Sequence, residues 1–157
     1  MTSDELIWRW QRFGDLLPQQ LYQIVRLRQD VFVVEQRCCY QDIDDWDQSA
    51  VHLLGCDATG LLVAYSRVFA PDTRFAEASI GRVLTAQSVR GRGLGHALVR
   101  QAVAYCEELF PGAPIRIGAQ SHLQKFYGAY SFVTRGDEYP VDGIPHVDMF
   151  REGHPGP

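Results

Sequence analysis

The chain has 157 residues, 46% of them hydrophobic and 22% charged, with fifteen Lys and Arg against nineteen Asp and Glu. That length suits one compact domain with a sizeable core. The net charge of -4 argues against a basic face of the kind that neutralises nucleic-acid phosphates. No apolar run approaches the roughly 20 residues that span a bilayer, and Met1-Thr2-Ser3-Asp4-Glu5 lacks the basic start and apolar stretch of an export signal. The expectation is a cytoplasmic protein with neither membrane nor nucleic acid as partner. Cys38, Cys39, Cys56 and Cys106 form no C-x-x-C pair, which predicts free thiols and no metal site.

Ile7 to Phe13 alternates apolar and polar side chains, as a half-buried strand does. Pro18 suits the first turn of a helix. Leu21, Ile24, Val25, Val31 and Phe32 recur at helical spacing, so the helix is predicted over about 18–33. Residues 36–49 are polar and read as a loop or broken helix. Their Asp42, Asp44, Asp45 and Asp47 are either an acidic rim that steers a cationic amine or turn caps on a solvated loop. Trp46, in the same loop, either lines an amine pocket through cation–π contact or packs the loop. Trp8 and Trp10 belong to core or sheet surface.

Val51 to Cys56 and Leu61 to Phe69 are β-rich runs joined by Asp57-Ala58-Thr59-Gly60, a hairpin connection. Ala78 to Thr85 reads as a further strand, followed by the glycine-rich turn Arg90-Gly91-Arg92-Gly93-Leu94-Gly95. Leu94, Ala97, Leu98, Ala102, Tyr105, Cys106 and Leu109 then form an apolar helical stripe that ends before Pro111. Ile115–Gln120 is a short strand, Leu123–Tyr130 a short helix and Phe132–Arg135 a strand. Asp142-Gly143-Ile144-Pro145 is a turn, and His146–Phe150 the last strand. The order predicts one mixed α/β domain over residues 1–152, antiparallel before the glycine turn and with a parallel crossover after it. Residues 153–157 are expected to be a mobile tail.

The glycine turn carries the most chemistry. Glycines at 91, 93 and 95 expose backbone N–H groups at a helix start, where the dipole favours an anion. Arg90 and Arg92 add positive charge there. The P-loop pattern G-x-x-x-x-G-K-[ST] is absent and the dinucleotide fingerprint G-x-G-x-x-G is unmatched. A phosphate or pyrophosphate remains the natural occupant, against a tight strand-to-helix connection with no ligand.

Arg90-Gly91-Arg92-Gly93-Leu94-Gly95 resembles the Arg/Gln-x-x-Gly-x-Gly/Ala signature of the GNAT acetyltransferase superfamily. Gln120 through Phe132, with Phe126-Tyr127 inside it, resembles the family segment that closes the cofactor cleft. Val31–Gln36, Cys39-Tyr40, Asp44, Asp47 and Gly143-Ile144-Pro145-His146 are similar to the ElaA-like branch. The resemblance implies a mostly antiparallel sheet of six to seven strands with splayed central parallel strands, flanked by about four helices. It implies acetyl-CoA as acyl-donor cosubstrate and no metal. The pyrophosphate would meet the loop from Arg90 through Gly95, with His96 beside it. The backbone of Val83, Leu84 and Thr85 would take the pantetheine arm. Gln120 stands where many members have Asn, and Ser131 replaces a usual Gly, which implies backbone strain. Asp44, Asp47 and Trp46 would face the acceptor, a small cationic or peptide amine. The protein would be a monomer or homodimer.

Acetyl transfer needs a neutral amine, whereas an alkylammonium titrates near 10.4, and it needs a proton for the departing thiolate. Tyr127 falls on the family tyrosine that commonly supplies that proton, and a phenol near 10 is a mild donor. The base is Glu35, raised by its place after the apolar run 31–34, or His146, ordinarily near 6.5, or water. Holding both substrates together would supply most of the rate, so a ternary complex is expected. The competing readings are a non-catalytic acyl-CoA sensor and an interaction module that kept only the fold.

Overall fold

The computed structural model describes residues 2–154. Its strands are β1 (Ile7–Arg12), β2 (Val51–Cys56), β3 (Leu62–Phe69), β4 (Ala78–Thr85), β5 (Ile115–Gln120), β6 (Val133–Val141) and β7 (Ile144–Arg151). They form one open sheet in the order β1-β2-β3-β4-β5-β7-β6. Only β4 and β5 run parallel, joined through α2 (Leu94–Leu109). The other α-helices are α1 (Pro18–Arg28) and α3 (Gln124–Gly128).

Pro18 opens α1, and the Gln20 side chain accepts from the Leu17 N–H at 2.8 Å. The helix expected to reach residue 33 ends as an α-helix at Arg28. It continues as a π-helix over Gln29–Glu35, with the Gln36 N–H donating to the Val31 carbonyl at 3.2 Å. The physical reason lies in Val31-Phe32-Val33-Val34, whose branched and aromatic side chains crowd a regular α-helical turn. The wider turn reorients this segment, a device common at functional sites. Among the described residues, three α-helices, this π-helix and five short 3-10 turns accompany the sheet.

α2 begins at Leu94 and buries Leu94, Ala97, Leu98, Ala102 and Cys106 as the stripe predicts, although Leu109 is exposed. Its apolar face packs on Val68, Ile80, Ile115, Ile117 and Met149. α1 covers the other side of the sheet through Ile24, Leu27, Leu54 and Leu84. The neighbours Leu53 and Leu54 divide between the two cores, as alternation along a strand requires. β3 is buried along its whole length because both faces are covered. Trp10 stacks on Tyr105 with ring centres 4.0 Å apart, and Trp8 lies so close to Gly55 that a Cβ there would meet its ring at 2.7 Å.

β6 runs six residues past the expected Arg135, and β7 starts two residues before the expected His146. The extension was hidden because most of β6 is exposed and polar, and its pairing with β7 is irregular between Arg135 and Tyr139. Gly153 and His154, expected in a mobile tail, lie against the turn after α2, where the Gly112 N–H donates to the His154 carbonyl at 2.9 Å. Residues 155–157 of that tail lie outside the described residues. Among the described residues the four cysteines are free, and no helix is long and apolar enough to cross a membrane.

Candidate active site

The sheet opens at its parallel seam. β4 and β5 pair only at Ala78 with Ile115 and Ser79 with Arg116. Beyond Ser79 the strands part, so the β5 side of β4 has no strand partner there. β4 is also bulged: Arg67 faces Gly81 while Tyr65 faces Leu84, so Arg82 and Val83 together oppose Ser66. The gap widens into a cleft of about 530 Å³.

Val83, Leu84 and Thr85 line this cleft, as do Arg90, Gly95 and Gln120. Gly93 adopts the left-handed conformation at the start of α2 (φ 74°), with no side-chain cap. The amides of Leu94, Gly95 and His96 therefore begin the helix without an intrahelical acceptor. Gly91 is left-handed as well (φ 79°). Gly91, Arg92, Gly93, Leu94 and His96 stand at the helix start, outside the cleft lining. Leu94 anchors the helix in the core. His96 is exposed, with Nδ1 2.6 Å from the Tyr130 hydroxyl and its ring 4.7 Å from that of Phe126.

The three acid–base candidates share the cleft. Tyr127 is 8% exposed, packed between the rings of Phe126 and Phe132. Burial pushes its phenol up to about 12. Glu35 corrects an expectation. Its carboxylate is not raised by apolar surroundings but lowered, because Arg90 hydrogen-bonds it. Arg90 Nη1 donates to Oε1, and Nη2 to Oε2 at 2.8 Å. A carboxylate held this way is a poor proton acceptor at neutral pH. His146 has the opposite character. Its Nδ1 lies 2.7 Å from the Ile144 carbonyl, which can only accept, so Nδ1 carries the proton and Nε2 keeps the lone pair of the neutral ring. His146 is the cross-strand partner of Gln120, and its ring stacks on Tyr139 at 6.2 Å. The Tyr139 hydroxyl donates to Asp148 Oδ1 at 2.7 Å, and Arg116 Nη2 to Asp148 Oδ2 at 3.0 Å. A string of polar side chains thus braces the imidazole.

The acidic loop matches the expected readings only in part. Asp45 is exposed and Asp44 Oδ1 accepts from the Trp46 N–H at 3.2 Å as a turn cap does, but the carboxylates of Asp42, Asp44 and Asp47 are taken up by arginines. Asp42 and Asp47 are buried. Arg28 donates to Asp42 Oδ2 at 2.8 Å and Asp47 Oδ1 at 2.6 Å. Arg67 donates to Asp44 Oδ1 and Oδ2 at 2.7 and 2.6 Å, and to Asp47 Oδ1 at 2.8 Å. Burial alone would raise Asp44, but the bonds and charges of Arg67 and Arg82 outweigh it and hold the group at about 2. Asp44 and Asp47 are outside the cleft lining and already have cationic partners from their own chain. So does Trp46: the cation over its ring is Arg74, 5.3 Å away.

Cleft residues that pattern reading missed are Phe32, Tyr40, Arg82, Gly118 and Asp142. Same-face spacing along β7 (His146, Asp148, Phe150) could have signalled the bracing of His146. Nothing local marks Arg82, because its role depends on a loop forty residues earlier.

The acetyltransferase (GNAT) domain family matches residues 18–152. UPF0039 protein sll0451 from Synechocystis sp. is 41% identical over 92% of this chain and 94% of its own. The protein ElaA of Escherichia coli is 40% identical over 92% of this chain and 95% of its own. The crystal structure of an acyl-CoA N-acyltransferase from Pseudomonas aeruginosa superimposes with a TM-score of 0.89 at 40% identity, covering 93% of this chain and 99% of that one. A split sheet with bare helix amides at its open end is the architecture of acyl-CoA-dependent N-acyltransferases. The chain belongs to the GNAT acetyltransferase family, in its ElaA-like branch.

Proposed function

We propose that this protein is an acetyl-CoA-dependent N-acetyltransferase that passes the acetyl group directly to a primary amine within a ternary complex. The observation that carries the reading is a single cleft holding three things together: an unpartnered β4 edge, a buried phenol and an imidazole with a free Nε2.

The residues present fit an acyl-CoA. The volume lies within the roughly 300–1,000 Å³ range of small-ligand sites. The β4 edge over Val83–Thr85 offers backbone groups to the amides of a pantetheine arm. The first amides of α2 favour an anion at the cleft's end, where exposed Arg92 adds charge. Once bound, acetyl-CoA supplies a thioester activated toward an amine. Nε2 of His146 takes the proton that the acceptor nitrogen must lose. The Tyr127 hydroxyl, which has no hydrogen-bond partner among the described residues, donates to the departing sulfur. Its elevated pKa means that it keeps its proton at neutral pH and acts as a donor rather than a base. Full transfer to a thiolate, ordinarily near 8.5, is uphill until burial raises the sulfur as well.

A cationic acceptor is supported by the charges left over. Glu35 and Asp142 are the carboxylates lining the cleft. Arg90 holds Glu35, so Asp142 in the β6–β7 turn is the one available to a second positive charge. Calorimetry with acetyl-CoA, followed by thiol release on a panel of polyamines, aminoglycosides, amino acids and peptide N-termini, tests the reading. Binding with turnover on an amine is expected. Binding without turnover on any amine would make the chain an acyl-CoA sensor, and absence of binding would remove the reading altogether.

A further inference from the structure

Glycine stands at position 81, yet the left-handed backbone falls one residue later, on Arg82 (φ 51°). A side-chain-bearing residue stays there only when its surroundings hold it. The hold is visible. Arg82 Nε donates to Asp42 Oδ1 at 2.7 Å, and Nη2 to the Asp42 carbonyl at 3.1 Å and Asp44 Oδ2 at 3.2 Å. Asp42 is fixed in turn by Arg28, whose Nη2 donates to its carbonyl at 2.7 Å. Asp44 is fixed by Arg67, which is fully buried. The rings of Phe32 and Tyr40 flank the Arg82 guanidinium at 5.9 and 5.8 Å. A run of alternating charges therefore leads from the end of α1, through the acidic loop, to one residue of β4.

That residue is the first of the two in the bulge. It sits between the last β4–β5 pair, at Ser79, and the edge Val83–Thr85 that lines the cleft. Side chains and backbone groups alternate sides with period two along a strand, so absorbing the extra residue would turn the groups beyond it to the other side. We propose that Arg82 is a positioning residue for acyl-CoA: anchored on Asp42 and Asp44, it maintains the bulge that presents the Val83–Thr85 edge to the ligand. The ligand half of this inference rests on the acyl-CoA reading of the cleft. It gives the buried aspartates a purpose other than meeting substrate.

Two substitutions separate backbone geometry from charge. Arg82→Gly removes the anchor but accepts the left-handed conformation without strain. Arg82→Ala removes the anchor and leaves the strain. Amide hydrogen exchange of the ligand-free protein and calorimetric titration with acetyl-CoA are read on both, beside the wild type. For Arg82→Ala, Leu84 and Thr85 should exchange about tenfold faster relative to the α2 amides of Leu98 and Ala102, and acetyl-CoA should bind about tenfold more weakly. Arg82→Gly, which relieves the strain, should lose several-fold less than Arg82→Ala on both measures. Equal losses in the two variants would overturn the proposal and leave the guanidinium's charge as the important feature. Exchange that quickens evenly across the molecule would also overturn it, reducing Arg82 to a general stabilising ion pair. Should Arg82→Ala not fold, Asp42→Asn carries the test: local quickening at Leu84 and Thr85 supports the anchor, and its absence overturns it. A wild-type protein that fails to bind acetyl-CoA would overturn the ligand half, while the exchange pattern would still decide the anchor.

Discussion

Arg90 and Glu35 face each other across the mouth of the cleft, with both terminal nitrogens of the guanidinium on the two carboxylate oxygens. The same guanidinium reaches the Thr85 carbonyl at 3.2 Å. The arginine nearest the glycine loop is thus partly neutralised before any anion arrives. Replacing Glu35 by Gln keeps a hydrogen-bonding partner and removes a negative charge beside an anionic ligand. Acetyl-CoA should then bind about two- to fivefold more tightly, the range of an exposed ion pair, and kcat should change little if His146, as proposed, rather than Glu35 takes the amine proton. Titrations at low and high salt check this, since the gain should shrink as salt screens it. A large fall in kcat would restore Glu35 as the proton acceptor.

Tyr127 and His146 are separable by substitution. Tyr127→Phe removes one hydroxyl that has no hydrogen-bond partner among the described residues, so the fold should be unaffected within about 0.5 kcal/mol while kcat falls on the order of 100-fold. His146→Ala should lower kcat by a similar order if Nε2 takes the amine proton. Steady-state kinetics, with acetyl-CoA affinity measured in parallel, distinguish a chemical loss from a binding one. Full turnover by Tyr127→Phe would leave solvent as the proton donor, and full turnover by His146→Ala would leave water as the acceptor.

Element type was largely readable from the chain because periodicity reports which face is buried: the α2 stripe, the β2–β3 hairpin and β5 all stand where the pattern puts them. The glycine turn was readable for a different reason: alternating glycines ahead of a helical stripe mark a strand-to-helix connection, and Gly91 and Gly93 there are left-handed. What failed to show was long-range. The charges of Asp42, Asp44 and Asp47 read as exposed because their arginine partners lie at 28, 67 and 82, on other elements. Glu35 follows an apolar run, which suggested burial, but the π-helical turn leaves it on the surface within reach of Arg90. Pairings decided by the packing of α1 against the sheet leave no local trace in spacing.

The buried charge network makes stability depend on acidity in a definite direction. Burial alone would raise Asp44, yet Arg67 and Arg82 keep it near 2, below its ordinary 3.8. A carboxylate whose folded value is depressed stabilises the fold above its unfolded value, and that contribution is lost as pH falls toward the folded one. For Asp44 the window runs from about pH 4 to about pH 2 and is worth about 2 kcal/mol. His52 adds an earlier component. It is fully buried between the Tyr65 hydroxyl (2.6 Å) and the Asp47 carbonyl (2.9 Å), and burial lowers its pKa from 6.5. The unfolded chain takes up that proton first, so stability declines as pH drops below about 6.5. Urea midpoints at pH 7, 5 and 3 should fall in that order, with the steeper loss below pH 4. A midpoint that rises on acidification would contradict the pairing.

Ser131 occupies a left-handed position at the end of α3 (φ 66°), with its N–H donating to the Gly128 carbonyl at 3.1 Å. The left-handed conformation costs an L-residue about 1–2 kcal/mol, whereas glycine adopts it freely but gives up about 0.4–1 kcal/mol through the greater freedom of its unfolded chain. The balance favours glycine by about 0.5–1 kcal/mol. For a domain of this size Ser131→Gly should raise the unfolding temperature by about 1–4 °C, measured by calorimetry. The substitution leaves the hydrogen bond to Gly128 in place, along with the packing of Phe132 on Tyr127. The turnover proposed to depend on the Tyr127 phenol should therefore be retained. A lower unfolding temperature would mean that the serine side chain, rather than the backbone angle, governs this helix end.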